Sequence, residues 1–141
     1  MGGTDALSGA DVERVRRTFA RVRASAEDVA LKFYAKLFAA APELRPLFVR
    51  STIDVQAQMF RETLYLVIDH LDDAPWLART LQRLAERHVG YGVTPEMYEP
   101  VGRALLATIE DSIGDEWSPD VAVAWQRAFD VIRDSMLEGR T

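Results

Sequence analysis

Cysteine is absent from this 141-residue chain. That excludes disulfides, thiolate nucleophiles, Cys-ligated zinc and Cys-ligated iron–sulfur clusters. Lysine is nearly absent too: among 17 basic residues only Lys32 and Lys36 are lysine, and the rest are arginine. Basic charge is outnumbered by 22 acidic residues, for a formal charge of −5. A net acidic chain lacks the positive field that phosphate backbones need, so nucleic acid is not the expected partner. No apolar run approaches the roughly 20 residues of a membrane span. The start, Met1-Gly2-Gly3-Thr4-Asp5, has no basic region followed by an apolar one, so no secretory signal is read there and a cytoplasmic location is expected. No segment alternates with period two, so no sheet is expected. There is no internal repeat, low-complexity tract or linker. Histidine occurs twice, at His70 and His88.

What is present is helical spacing from end to end. Nearly half the chain, 48%, is hydrophobic, enough for one core. Val12, Val15, Phe19 and Val22 step by three and four, one stripe of a first helix with Ser8 as N-cap and Asp11 in its first turn. Ser25 is the expected cap of a second helix, with Glu27 and Asp28 at its positive end and Val29, Phe33 and Leu37 on one face. Tyr34 and Phe38 lie beside that face. Pro42 and Pro46 frame a short turn that delivers Phe48. A third helix is expected from about Thr52 to Leu71, placing Gln56, Phe60, Thr63 and Val67 along one face. Asp73 caps the next, with Pro75 just inside its start, and that helix is expected to end at His88. Thr94-Pro95-Glu96 opens a longer helix that stops at Gly114. Ser118-Pro119-Asp120 opens the last, with Val121, Trp125, Phe129, Ile132 and Met136 as its stripe.

The fold class is therefore all-α, and a four-helix bundle, a repeat fragment and a globin-like fold all remain open. Unequal helix lengths, the Pro-framed turn before Phe48, and a lone histidine before the glycine-rich bend Val89-Gly90-Tyr91-Gly92-Val93 favour the last. His88 is either a surface histidine or a ligand. A neutral imidazole binds a metal through one ring nitrogen while the other is held by a nearby acceptor.

Several separate segments, in order and spacing, carry a resemblance. They are Phe33-Tyr34-Ala35-Lys36-Leu37-Phe38, Pro42-Glu43-Leu44-Arg45-Pro46-Leu47-Phe48, Arg87-His88-Val89-Gly90-Tyr91-Gly92-Val93, Tyr98-Glu99-Pro100-Val101-Gly102, and Ala124-Trp125 followed by Phe129. Together they cover roughly residues 8–137. The chain resembles a bacterial single-domain globin, related to the globin portion of flavohaemoglobins and more distantly to neuroglobins. The resemblance implies a globin fold of about seven or eight helices around a haem pocket, with residues 1–141 as one domain and 1–7 as a flexible N-terminus.

On that resemblance His88 is the proximal iron ligand, its other nitrogen donating to the Leu84 carbonyl. Phe48 packs on the haem face. Tyr34 and Gln56 are the polar pair on the distal side, with Phe60 as an apolar wall. Gln58 competes with Gln56, which is preferred because it lies four residues before Phe60 on the same face. Val93 and Tyr98 join the cofactor's surroundings, Tyr98 as the residue that orients the ligand histidine. Arg87 and Arg83 are either partners for haem propionates or solvated arginines. The first-helix row Arg14, Arg17 and Arg21 is read as a solvated face, and His70 as a solvated surface residue beyond reach of the iron. The family pairs its proximal tyrosine with a glutamate on the last helix. Arg140 stands at the matching position here, and Glu138 falls two residues early, so a strongly anionic histidine is not expected.

The implied function is reversible binding of O2, and of NO and CO, at haem b iron held by His88. Conversion of nitric oxide to nitrate is an extension of it, and one that needs a separate reductase because no flavin or nicotinamide domain is attached. A haem-based gas sensor acting through a partner, and a haem-free interaction module, are the alternatives. The expected form is a monomer or homodimer, with no nucleic-acid or membrane partner.

Overall fold

The computed structural model describes residues 7–25, 27–48 and 52–138. Among them are six α-helices and no strand: α1 (Gly9–Ala24), α2 (Val29–Ala40), α3 (Ile53–Asp69), α4 (Ala74–Gly90), α5 (Tyr98–Ile113) and α6 (Pro119–Glu138). Short 3₁₀ segments at Pro42–Phe48, Pro95–Met97 and Gly114–Glu116 connect them.

Local chemistry sets most helix ends. The Ser8 hydroxyl accepts from the Asp11 N–H, Thr52 from Val55, Asp73 from Trp76 and Ser118 from Val121. Each takes up an N–H that the first turn leaves without a partner. The second helix departs from the sequence reading. Asp28, not Ser25, caps it, accepting from Ala30 and Leu31. Ser25 instead closes α1 and accepts from the Glu27 N–H. The Thr94-Pro95 start opens a 3₁₀ turn, and α5 proper begins at Tyr98 before stopping at Gly114 (φ 57°).

The core is built where α1 packs on α6 and α2 on α5. Phe19, Leu37, Leu81, Ile109 and Ile113 are fully enclosed. Thr18 and Trp125 are buried together, and the indole N–H donates to the Thr18 oxygen at 2.9 Å. Thr18 in turn donates to the Arg14 carbonyl at 2.7 Å, so no polar atom of this pair is stranded. At Gly102 the α5 backbone runs so close to the Phe129 ring that a Cβ would lie 2.5 Å from it.

Two helices are held apart from each other. α3 packs on α2, α4 packs on α6, and α3 and α4 share little direct contact. Arg16 fixes the corner between them. Its guanidinium donates to the Ile68 and Asp69 carbonyls at the end of α3 and to both oxygens of Asp72. It thus satisfies last-turn carbonyls and ties the corner to α1.

Candidate functional site

Predicted residues lie on both α3 and α4, which flank a gap. On the α3 side, the fully buried positions are Ala57, Leu64, Val67 and Ile68. Gln56, Phe60 and Thr63 form the adjoining line and are only half-buried. On α4, Leu77, Leu81 and Ala85 are buried, while Trp76, Thr80, Leu84 and His88 beside them are half-buried. A cavity of about 190 Å³ lies between the helices, lined by Thr63, Leu66 and Val67 from α3 and Trp76, Thr80, Arg83, Leu84 and Arg87 from α4. A larger groove, about 980 Å³, runs along α1, α4 and α6 past Val12, Leu77, Leu81 and Val131. It holds none of the predicted site residues.

An aromatic cluster forms one wall. Phe60 stacks on Phe33 with centroids 4.4 Å apart and rings nearly parallel. Tyr34 meets Phe33, Phe48 and Phe60 edge-on at 5.1, 5.3 and 5.8 Å. Phe38 packs on Tyr34 and Phe48 and carries the Arg45 guanidinium over its face. The sequence reading placed Tyr34, Phe48 and Phe60 together but missed Phe33 and Phe38. Their signal was the aromatic density of Phe33-Tyr34 followed by Phe38 one turn on. Tyr34 is only 5% exposed, and its hydroxyl donates to no other described residue. Burial pushes its pKa up to about 12, so the phenol stays neutral and remains a donor. Gln56 is half-buried beside this cluster, whereas Gln58 is exposed and donates to Glu62.

The opposite wall is α4 and its exit. His88 Nδ1 donates to the Leu84 carbonyl at 2.7 Å, one helical turn earlier. That bond puts the proton on Nδ1 and leaves Nε2 as the lone-pair nitrogen, with no hydrogen-bond partner among the described residues. Burial holds the imidazole below its ordinary value of 6.5, with the Leu84 bond opposing in part, so the neutral ring dominates at pH 7. The helix does not stop at His88 but runs on to Gly90. The Tyr91 N–H bonds back to the Arg87 and His88 carbonyls, and the Val93 N–H to the His88 carbonyl at 2.9 Å. Gly92 makes this turn at φ 90° and lies beside Leu47, the neighbour of Phe48. The bend after His88 is thereby brought against the turn that carries the aromatic wall.

Other predicted residues lie further out. Tyr98 is buried at the start of α5, and the ring hydrogen bond of His88 goes to Leu84 rather than to it. Arg83 and Arg87 are exposed at the cavity mouth. His70 is more engaged than a solvated histidine: it is half-buried, bonds the Leu66 carbonyl at 2.8 Å and stacks on Trp76 at 3.9 Å. The first-helix arginine row is partly paired, Arg14 with Asp11 and Arg21 with Glu116. Glu138 ends α6, and Arg140 lies outside the described residues.

The aromatic wall suits a flat, mostly apolar group. No cluster of three or more His, Cys, Asp or Glu side chains able to hold a metal ion is present among the described residues. A metal at His88 must bring its remaining ligands with it, as a metallated macrocycle does. One imidazole with a free nitrogen, aromatic side chains and a neutral phenol make such a setting.

An all-helical cofactor-binding domain is thus defined by fold and site. The globin family model matches residues 31–136, and the chain belongs to the globin family. It is 28% identical over 137 residues to a flavohemoprotein of Halalkalibacterium halodurans, covering 96% of this chain and 33% of that protein. A flavohemoprotein of Deinococcus radiodurans is 32% identical over 125 residues, 87% of this chain and 31% of that protein. The chain spans about a third of the length of these curated relatives. An anaerobic nitrite reductase of Oryza sativa subsp. japonica is 30% identical, with 89% of this chain and 90% of that protein covered. Membership of the family implies haem as the cofactor. No helix among the described residues is long and apolar enough to cross a membrane.

Proposed function

We propose that this chain is a single globin domain that holds haem b between α3 and α4 and reversibly binds O2, NO or CO there. When bound, haem would supply an iron that can bind a diatomic gas. His88 Nε2 would hold the iron, and the Leu84 carbonyl fixes the ring's tautomer and orientation. Tyr34 and the Gln56 amide are the donors on the gas side. A donor in a dry pocket holds a partly negative oxygen more strongly than one in water. Phe48 and Phe60 give the macrocycle apolar contact. Arg87, at the cavity mouth, is the partner for a carboxylate at the haem edge. Val93 sets the backbone after His88, and Tyr98 closes the proximal side.

The observation that carries this reading is His88 itself: one nitrogen held, the other without a partner, the ring kept neutral by burial. Oxidation of nitric oxide to nitrate by the oxygenated protein is the proposed reaction, in the cytoplasm, with electrons from a reductase. The likeness to flavohemoproteins supports that choice. The near full-length likeness to a protein named for nitrite reduction makes nitrite the second substrate to test.

The test is the visible spectrum of the protein as isolated, reduced, and reduced under carbon monoxide. A five-coordinate ferrous spectrum that shifts sharply with carbon monoxide is expected. Absence of haem absorbance after reconstitution overturns the reading. A six-coordinate low-spin ferrous spectrum without gas keeps haem but removes the open gas site.

A further inference from the structure

α4 carries three arginines at helical spacing, Arg79, Arg83 and Arg87, all exposed. None makes an ion pair among the described residues. Three acids at the end of α3 and the start of α4 are already engaged. Asp69 pairs with Arg23 and Asp72 with Arg16, while the Asp73 carboxylate caps the Trp76 N–H. Glu86, three residues after Arg83, forms no ion pair either. A chain of net charge −5 therefore presents a locally basic row. The row borders apolar surface: Leu66 is 51% exposed, and Leu66, Trp76, Arg83 and Arg87 line one cavity. That cavity lies between α3 and α4, where the cofactor is proposed.

We propose that the Arg79–Arg83–Arg87 row, with Leu66 and Trp76 beside it, is the docking face for an acidic protein that donates single electrons. The inference rests on the haem reading above. One electron leaves the partner's reduced flavin and the ferric iron becomes ferrous, with no proton or bond change required. A small apolar patch with a charged rim suits such partners, which meet briefly over little area and rely on charge for their on-rate. The basic row selects an acidic partner over a basic one.

The experiment uses reduced flavodoxin, an acidic flavin protein, as donor to the haem-loaded chain. Reduction is followed by stopped flow at low and high ionic strength. Charge reversal in Arg79→Glu/Arg83→Glu is expected to lower the second-order rate constant about tenfold at low salt. The difference should vanish at high salt, where the charges are screened. Arg17→Glu, the same change in charge per site on an exposed turn of α1, should change the rate less than twofold. Binding of oxidised flavodoxin to the haem-free chain, read by flavin fluorescence anisotropy, should weaken in parallel. Equal rates and equal anisotropy for wild type and the double variant would overturn the docking face. So would a salt-independent rate. Failure of the cofactor reading shows separately, as no haem uptake by the wild-type chain, while anisotropy still reports on the face.

Discussion

Tyr34→Phe tests function with little effect on stability. The side chain is 5% exposed. Its hydroxyl oxygen is not one of the buried atoms left without a hydrogen bond among the described residues, so it keeps contact with water. Removing that hydroxyl should change the stability of the haem-free protein by less than about 1 kcal/mol. Under the proposed function the same hydroxyl donates to bound oxygen in the haem-loaded protein. A hydrogen bond to a charged acceptor contributes about 1.5–3 kcal/mol, so the oxygen dissociation rate should rise about 10- to 150-fold. Carbon monoxide carries little negative charge, so its dissociation should change by less than about threefold.

The pH dependence follows from the raised pKa. The phenol ionises near 12 in the folded chain against 10.0 unperturbed, so the donor persists and oxygen release should be flat between pH 7 and 10. Stability contributed by the neutral phenol is complete below pH 10 and is lost as pH rises through 12, because the unfolded chain ionises first. Stopped-flow displacement of oxygen by carbon monoxide measures the first effect, and urea unfolding of the haem-free chain the second. An unchanged oxygen rate removes Tyr34 from the site. Equal acceleration for both gases means that the substitution altered pocket shape, not a hydrogen bond. A destabilised haem-free variant means that the hydroxyl already has a partner.

His88→Gly should abolish the five-coordinate ferrous spectrum, and added imidazole should restore it, as absorbance titration will show. His88 is also held below 6.5, so its neutral form supports the fold above that pH, and that support is lost as pH falls through the folded value; urea unfolding at pH 7.5 and pH 5 should show a steeper loss for wild type than for His88→Gln. Gly102→Ala forces a Cβ against the Phe129 ring. It should cost about 1–3 kcal/mol and lower Tm by about 3–10 °C in a calorimetric scan. Asp28→Ala loses both the α2 cap and the 2.6 Å pair with Arg61, for about 0.5–2 kcal/mol by denaturant unfolding, whereas Asp28→Asn should keep most of the cap.

Much of the fold was legible because helix stripes and caps are local. Val12, Val15, Phe19 and Val22 are all buried, and Ser8, Asp73 and Ser118 cap as their positions predict. The misses have local competitors. Ser25 and Asp28 are both good caps; Ser25 is taken by the Glu27 N–H, leaving the α2 N-terminus to Asp28. The helix expected to end at His88 runs on to Gly90, and the turn takes its positive φ at Gly92. The His70–Trp76 stack and the Phe33–Phe60 stack join separate elements, so no spacing along the chain announces them. Spacing from Phe60 favours Gln56 over Gln58, and Gln56 is the half-buried one of the two while Gln58 is exposed.

The half-burial of two facing helix stripes is the physical link between fold and function. Each helix has a fully enclosed stripe, Ala57, Leu64 and Ile68 on α3 and Leu77, Leu81 and Ala85 on α4. Each also has a neighbouring half-buried stripe, Gln56, Phe60 and Thr63 on one and Thr80, Leu84 and His88 on the other. Apolar side chains gain by leaving water, so two such stripes would be expected to close on each other. They do not, because α3 is committed to α2, α4 to α6, and Arg16 pins the corner between them. The gap is thus held open by packing elsewhere. Under the proposed function, what fills it is apolar on both faces and brings a metal to His88 Nε2 and an acceptor to the Tyr34 hydroxyl. A planar metallated ring meets those requirements together. A protein partner would leave the imidazole nitrogen and the phenol buried without use, at a desolvation cost for each.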